Sequence, residues 1–208
     1  MMNKFRPLLA AALSAVVITA LPGCQTPPPP KKAVTAPVQD AVMWQLFTLN
    51  TKAPFVLNVP DTKVRSKLSE FVELGGHSYV KGQFEDGPVR GEVLLRYKDL
   101  QPLNASFRGL KLLIAPFMVA NQGSGSFWYL GLYGLNEEKR AIGHLDSIFI
   151  GDRVDIRSFS PSDHAMLPVL VNGEVLVHAP GQPMAEPPRL MEIRRYEISW
   201  DGKILSLD

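Results

Sequence analysis

The chain has 208 residues, which is room for one domain and a targeting segment. Residues 1–23 contain two basic residues and no acidic one, so the remaining chain carries 20 basic and 20 acidic residues. This neutrality argues against a nucleic-acid binder, which needs a basic surface to neutralise phosphates. An apolar content of 46% argues against an acidic disordered protein, and a single cysteine leaves no intrachain disulfide framework or CxxC motif.

The N-terminus predicts a signal peptide over residues 1–23. Basic residues precede an apolar run, Leu8–Leu21, which is shorter than the roughly 18–20 residues that a membrane-spanning helix needs. The run ends in Leu21-Pro22-Gly23-Cys24. That segment resembles the lipobox of bacterial lipoproteins, in which the cysteine receives a diacylglycerol thioether. We therefore expect lipidation at Cys24; the alternative is a secreted protein with one unrelated cysteine.

The residues after Cys24 predict a destination and a spacer. Gln25 in place of an aspartate resembles outer-membrane sorting in Gram-negative lipoproteins, so we expect the protein on the periplasmic face of the outer membrane. Pro27–Pro30 fix φ and provide no N–H donors, which favours an extended polyproline II tether over residues 24–40. The tether would hold a single domain, residues 41–208, away from the membrane.

Period-two alternation with frequent turn signals predicts that this domain is mainly β. We expect a single antiparallel meander that forms a sandwich or a barrel-like sheet, with at most one or two short helices. Four dipeptides predict strand reversals: Asp86-Gly87, Gly151-Asp152, Asn172-Gly173 and Asp201-Gly202. Leu110–Ala120 and Phe127–Tyr133 are apolar on both faces and predict a buried central hairpin around loop 121–125.

Three local features concern secondary structure outside the regular alternation. Val64, Leu68, Phe71 and Val72 have helical spacing after Asp61, which predicts a helix with Asp61 as its N-cap. Gly75-Gly76 either ends that helix or turns a hairpin into 77–84. A three-residue step between Ile193 and Tyr196 predicts a bulge near Arg194-Arg195.

Several motifs resemble a family of uncharacterised bacterial envelope lipoproteins. They are Gly123–Leu130 (GSGSFWYL), Asp146-Ser147, Gly151–Ile156 (GDRVDI), His178–Met184 (HAPGQPM) and Pro187-Pro188. The resemblance covers about residues 104–200 and implies location and fold, but no activity. This chain has Ala185-Glu186 where relatives often carry a cysteine pair, and Asn104–Gly109 where they often carry an Asp/Gly-rich segment.

The chain contains no GxSxG, HExxH, P-loop or dinucleotide fingerprint, and its cysteine is assigned to lipid. His144 and Asp146 lie two residues apart, so a regular strand would direct both to one face. Asp152, Asp163 and His164 could join them around a divalent ion. Turn formation accounts equally for these acids, and we expect neither a metal nor a cofactor.

Two regions are candidates for a ligand or partner surface. Phe127, Trp128 and Tyr129 could line a pocket or stack on a sugar, although strand residues of this kind are more often core. Asp152 and Arg153 could hold a carboxylate or sugar, or pin a hairpin. The Pro-rich loop 178–188 is stiff and could contact a partner. Its candidate residues are His178, Pro180 and Gly181.

These features predict a lipoprotein with a non-catalytic accessory domain that docks on an envelope protein or on peptidoglycan. Such a domain should expose an apolar patch beside residues 178–188. The alternative is a carrier or sensor of a small amphiphile in a β cup, which requires a cavity of a few hundred Å³. A third hypothesis is a hydrolase or metal-dependent enzyme that uses His144, Asp146, Asp152 or His164.

Overall fold

A computed structural model of the chain describes residues 54–208. The predicted signal peptide, the lipidation site Cys24 and the tether lie outside the described residues. The described part is built from strands, and the prediction of a mainly β domain with a barrel-like sheet is confirmed. Its one helix is a short 3₁₀ turn, Tyr97–Asp99.

Twelve strands are present in residues 54–208, and all paired neighbours are antiparallel. They are β1 (Val56–Asn58), β2 (Arg65–Leu74), β3 (His77–Asp86), β4 (Val89–Leu95), β5 (Gln101–Phe107), β6 (Leu110–Asn121), β7 (Ser126–Asn136), β8 (Ala141–Asp152), β9 (Asp155–Pro161), β10 (Val169–Val177), β11 (Leu190–Ile198) and β12 (Ile204–Ser206).

The strands form two sheets. The larger has the order β1-β2-β3-β4-β6-β7-β8, and β5 shares one edge of the long strand β6 with β4. This sheet curls until β8 lies beside β1, where the backbone N–H of Asn58 donates to His144 Nδ1 at 3.1 Å. The result is a nearly closed barrel. The smaller sheet, β12-β11-β10-β9, contributes a second hydrophobic layer with one face of the barrel wall.

Two hydrophobic cores explain why β6 and β7 are apolar on both faces. Alternate residues of β6 point into the barrel, where Leu113 and Phe117 are fully buried. The intervening residues, such as Leu112 and Ile114, belong to the core that includes the smaller sheet. Because both faces are removed from water, neither face needs polar side chains. The predicted central hairpin around loop 121–125 is therefore confirmed.

The helix predicted after Asp61 is wrong, because this segment is strand β2. Leu68 pairs with Gly82 and Glu70 pairs with Lys81, so Ser69 is the extra residue of a β-bulge. The bulge allows Leu68 and Phe71, three residues apart, to pack in the same barrel core. A bulged strand thus produces the spacing that resembles a helical face. Gly75-Gly76 turns the β2–β3 hairpin, both with positive φ.

The turn predicted at Asn172-Gly173 is also wrong, since both residues lie within β10. A Cβ on Gly173 would lie 2.8 Å from the Phe159 ring, so the glycine makes room for a neighbouring side chain and does not reverse the chain. The bulge predicted near Arg194-Arg195 is absent, because β11 pairs with β10 in unbroken register. The apolar residues change face within a regular strand: Met191 and Ile193 face solvent, whereas Tyr196 and Ile198 face the core.

The other predicted turns have mixed outcomes. Asp86-Gly87 joins β3 to β4, and Asp201-Gly202 lies between β11 and β12, as predicted. Gly151-Asp152 ends β8, but β9 belongs to the other sheet and does not pair with β8. The predicted reversal there is instead a passage between sheets, with Arg153 in the left-handed region at φ 51°.

Candidate functional site

A cleft of about 560 Å³ occupies one end of the barrel, which we call the open end. The segment after β1, the β3–β4 turn, the end of β6, the start of β7 and the end of β8 meet there. Four aromatic residues and two carboxylates are among the lining side chains: Phe84, Phe127, Tyr129, Phe149, Asp61 and Asp86. Concavity combined with aromatic lining and a few polar groups is typical of a ligand site.

Two ring contacts hold the aromatic wall of the cleft in place. Tyr129 stacks on the buried Phe117, with ring centroids 5.3 Å apart and an interplanar angle of 16°. Tyr129 also meets Phe149 edge-on, with ring centroids 5.4 Å apart. Phe149 is 51% exposed, so the wall runs from the barrel core to solvent. The exposed ring is anchored by rings beneath it and offers an apolar surface to a ligand.

The loop after β1 positions Asp61 at the cleft. Thr62 Oγ1 donates to the Val59 carbonyl at 2.9 Å and accepts the Val64 N–H at 3.1 Å. Asp61 itself has φ 58°, a left-handed conformation that aspartate tolerates better than most residues. These hydrogen bonds hold the backbone of residues 59–64, which places Asp61 at the edge of the cleft.

The barrel below the aromatic wall is filled. Its inward-pointing side chains are each at most 1% exposed: Leu57, Leu113, Phe117, Tyr133 and Leu135. A tightly packed interior of this kind leaves no channel along the barrel axis for an acyl chain. The aromatic residues therefore serve as core in the interior and as an accessible wall only at the open end.

The prediction that His144 and Asp146 share a face is wrong because a β-bulge separates them. Tyr133 pairs with His144 whereas Leu132 pairs with Asp146, which leaves Leu145 as the extra residue. The His144 ring lies in the barrel, 5.4 Å from the Tyr133 ring. Asp146 instead reaches β12, where it accepts the Ile204 N–H at 2.9 Å.

His144 is a structural link across the barrel closure. Its Nδ1 accepts a backbone hydrogen bond, so the neutral ring carries its proton on Nε2, which is buried without a partner among the described residues. Burial lowers its pKa to about 4, against a smaller opposing effect of Asp146. A neutral imidazole is required because a proton on Nδ1 would point at the donating N–H of Asn58.

The remaining acidic candidates are used locally. Asp163 accepts a hydrogen bond from Asn104 Nδ2 at 3.1 Å, and Asp152 accepts the Ser126 N–H at 2.8 Å. In residues 54–208, no group of three or more His, Cys, Asp or Glu side chains is placed to hold a metal ion. The structure therefore does not bring the predicted hydrolase or metal residues together.

The predicted aromatic residues divide between two environments. Phe127 and Tyr129 line the cleft, whereas Trp128 points to the opposite side of β7 and packs in the core shared with the smaller sheet. Asp152 and Arg153 lie beside the cleft and hold its β6–β7 loop. Arg153 Nε donates to the Ser124 carbonyl at 3.0 Å, which complements the Asp152 hydrogen bond.

Loop 178–188 forms a separate ordered region that includes Pro180 and Gly181. His178 Nε2 lies 2.9 Å from the Glu186 carbonyl oxygen. The buried Gln182 accepts the Ala179 N–H at 3.0 Å and donates to the Pro187 carbonyl at 2.6 Å. These bonds stiffen the loop without placing His178 in the cleft.

Four cleft residues escape sequence analysis: Phe84, Phe149, Asp61 and Asp86. Asp86 is recognisable only as a turn residue, and Asp61 is misassigned to a helix N-cap. They meet because the segment after β1 and the ends of β3 and β8 come together when the sheet curls. No short motif encodes that closure.

No helix within residues 54–208 has the length and apolarity to span a membrane. Comparison of the chain with protein-family models, with curated proteins and with solved structures finds no match.

Proposed function

We propose that this protein is a lipid-anchored lipoprotein of the Gram-negative envelope with a non-catalytic β domain that docks on a partner protein. The lipobox-like Cys24, the following Gln25 and the Pro27–Pro30 spacer support tethering at the periplasmic face of the outer membrane. The separation of His144 from Asp146 by the Leu145 bulge supports a non-catalytic role.

The observation that carries the docking role is an exposed apolar strip next to loop 178–188. The strip consists of Met191 and Ile193, which share one face of β11 and are 49% and 58% exposed. Met184 in the loop and Leu190 at the start of the strand are each 42% exposed. Concentrated exposed apolar side chains mark interaction surfaces more often than scattered ones do. The hydrogen bonds of Gln182 stiffen the loop before the strip, which reduces the entropy lost on binding.

The composition of the exposed strip favours a protein partner over peptidoglycan. Along β11, the outward face continues from Met191 and Ile193 to Arg195 and Glu197. An apolar centre with charged residues at its margin is typical of protein interfaces, whereas a glycan offers mainly hydroxyl groups. Docking would remove the two apolar side chains from water.

Site-specific photocrosslinking of the full chain in cells tests this role. A crosslinker at Ile193 should yield one adduct, identified by mass spectrometry as an envelope protein, and Met191→Ser should reduce its yield. The matched control is Lys139, an exposed residue of the β7–β8 turn. Equal adducts at both positions, or adducts containing only this chain, would refute docking on a different protein.

The lipid anchor has its own test. Cells fed labelled palmitate should incorporate label into the wild-type chain, and Cys24→Ala should abolish incorporation because the thioether cannot form. The wild-type protein should fractionate with outer membranes. Unchanged labelling of the variant would refute lipidation at Cys24 without bearing on the exposed strip.

A second candidate function, carriage or sensing of a small ligand, is favoured by the open-end cleft. Its volume of about 560 Å³ lies within the usual range for ligand sites. Native mass spectrometry of the full lipidated chain should then show an added mass of a few hundred daltons. Because the interior is filled, such a ligand would bind at the barrel mouth and not along the axis.

A further inference from the structure

We propose that the open-end cleft binds a small organic cation, an ammonium or guanidinium group on a short apolar body. The proposal rests on the aromatic wall of Tyr129 and Phe149, which lies beside the carboxylates Asp61 and Asp86 in the same cleft. This inference deepens the second candidate function by naming a ligand class. It is independent of the lipid anchor, whereas Phe149 of the cleft wall and Ile193 of the exposed strip line a common second concavity.

The cleft carries negative charge that the described residues do not compensate. The carboxylates of Asp61 and Asp86 have no hydrogen bond or ion pair within residues 54–208, and the cleft lining contains no lysine or arginine. Asp152 and Asp146, by contrast, each accept a backbone N–H. Two uncompensated carboxylates at one concavity attract a cation and repel an anion.

The aromatic wall adds the second element of cation recognition. A ring face attracts a cation through its quadrupole, and the attraction strengthens when the site is partly shielded from water. Tyr129 is half-buried and Phe149 half-exposed, so a ligand above them would lose part of its hydration. Burial and then the charge of Asp61 raise the pKa of Tyr129, which is consistent with that carboxylate facing the ring.

The size and rigidity of the cleft favour a small molecule over a macromolecule. A volume of about 560 Å³ accommodates a small organic molecule with its charged group, and the packed Phe117 ring supports the wall from below. The hydrogen bonds of Thr62 hold the backbone around Asp61, so little backbone ordering is needed on binding.

Ligand-observed NMR on the full lipidated chain, held in nanodiscs of zwitterionic lipid, tests the proposal. The probes are butylammonium, butylguanidinium, 1-butanol, butanoate and glucose, with empty nanodiscs as the reference for partitioning. We expect both cations to bind about tenfold more tightly than 1-butanol, and butanoate to bind least. Preferred binding of glucose would indicate a carbohydrate site and overturn the proposal.

Substitutions assign the effect to the cleft. Asp61→Asn and Asp86→Asn should each weaken cation binding severalfold while leaving 1-butanol unchanged, and Phe149→Ala should weaken cations and 1-butanol together. The charge-matched control is Glu138→Gln, an exposed residue of the β7–β8 turn away from the cleft, which should change nothing.

Two outcomes would overturn the cation site: equal affinity for butylammonium and 1-butanol, or cation binding that survives both aspartate substitutions. If native mass spectrometry still showed a bound small molecule in that case, the carrier function would stand and only the ligand class would be wrong. If no probe binds and no added mass is found, both the site and the carrier function fail.

Discussion

The barrel interior and its open end contain the same kinds of side chain in opposite states. Tyr133 and Tyr129 lie four residues apart on one face of β7. Tyr133 is 0% exposed and its hydroxyl has no partner among the described residues, whereas Tyr129 is half-buried at the cleft. One strand therefore supplies both core and candidate site.

The difference concerns how polar groups are tolerated. In the interior, the Tyr133 hydroxyl is buried without a partner within residues 54–208, which costs about 1–3 kcal/mol. At the open end, Asp61 and Asp86 also lack partners in the described residues, but both are exposed and therefore hydrated. An unpaired polar group destabilises the barrel interior because it is buried, whereas at the open end it remains hydrated and available to a ligand.

The largest expected effect separates the two regions by stability. Phe117→Ala should lower the free energy of unfolding by about 3–5 kcal/mol, because a fully buried ring leaves a cavity. Phe149→Ala should lower it by less than about 1 kcal/mol, because that ring is 51% exposed. Denaturant unfolding of both variants checks this, and comparable losses would contradict the distinction between core and site.

The next effect concerns pH and belongs to the interior alone. The unfolded His144 has a pKa near 6.5 and the folded one a pKa of about 4. Between these values the unfolded chain binds a proton that the folded chain does not, so stability falls as the pH falls, by up to about 3 kcal/mol at pH 4.

Unfolding curves at pH 7 and pH 4 measure this loss. His144→Gln keeps an acceptor for the Asn58 N–H but cannot titrate, so its loss of stability should be smaller than that of the wild type. The exposed His164→Gln is the control and should behave as the wild type does. An identical pH dependence in all three proteins would show that His144 titrates normally.

The smallest effect comes from removing single hydroxyl groups. Tyr133→Phe should leave stability unchanged or raise it by up to about 1 kcal/mol, because the lost hydroxyl is buried and has no partner within residues 54–208. Tyr129→Phe at the partly exposed position should change stability by less than about 0.5 kcal/mol. Thermal unfolding of the pair measures both values, and a marked destabilisation by Tyr133→Phe would reveal a partner for its hydroxyl.

The local sequence predicted the strands better than the site. Alternation and two-sided apolarity identify β4, β6 and β7, and the Asp86-Gly87 turn is recognisable from its own residues. Phe127 and Tyr129, two of the predicted candidates for a ligand or partner surface, line the cleft, whereas Trp128 lies on the other face of β7. The alternation of side chains between the two faces is a property of one strand, so it is visible in the sequence. Which other strands pack against each face depends on the whole fold and is not visible there.

What the sequence by itself determined is the mainly β architecture, the buried pair β6 and β7, and several of the turns, because these follow from local periodicity and backbone preference. Only the tertiary structure decided that Ser69 and Leu145 are bulged and that Gly173 lies within a strand. Each depends on packing between residues distant in the chain: the curled sheet directs Leu68 and Phe71 into one core, and the Phe159 ring occupies the space above Gly173. The same closure brings the ends of β1, β3, β4, β6, β7 and β8 together at the open-end cleft.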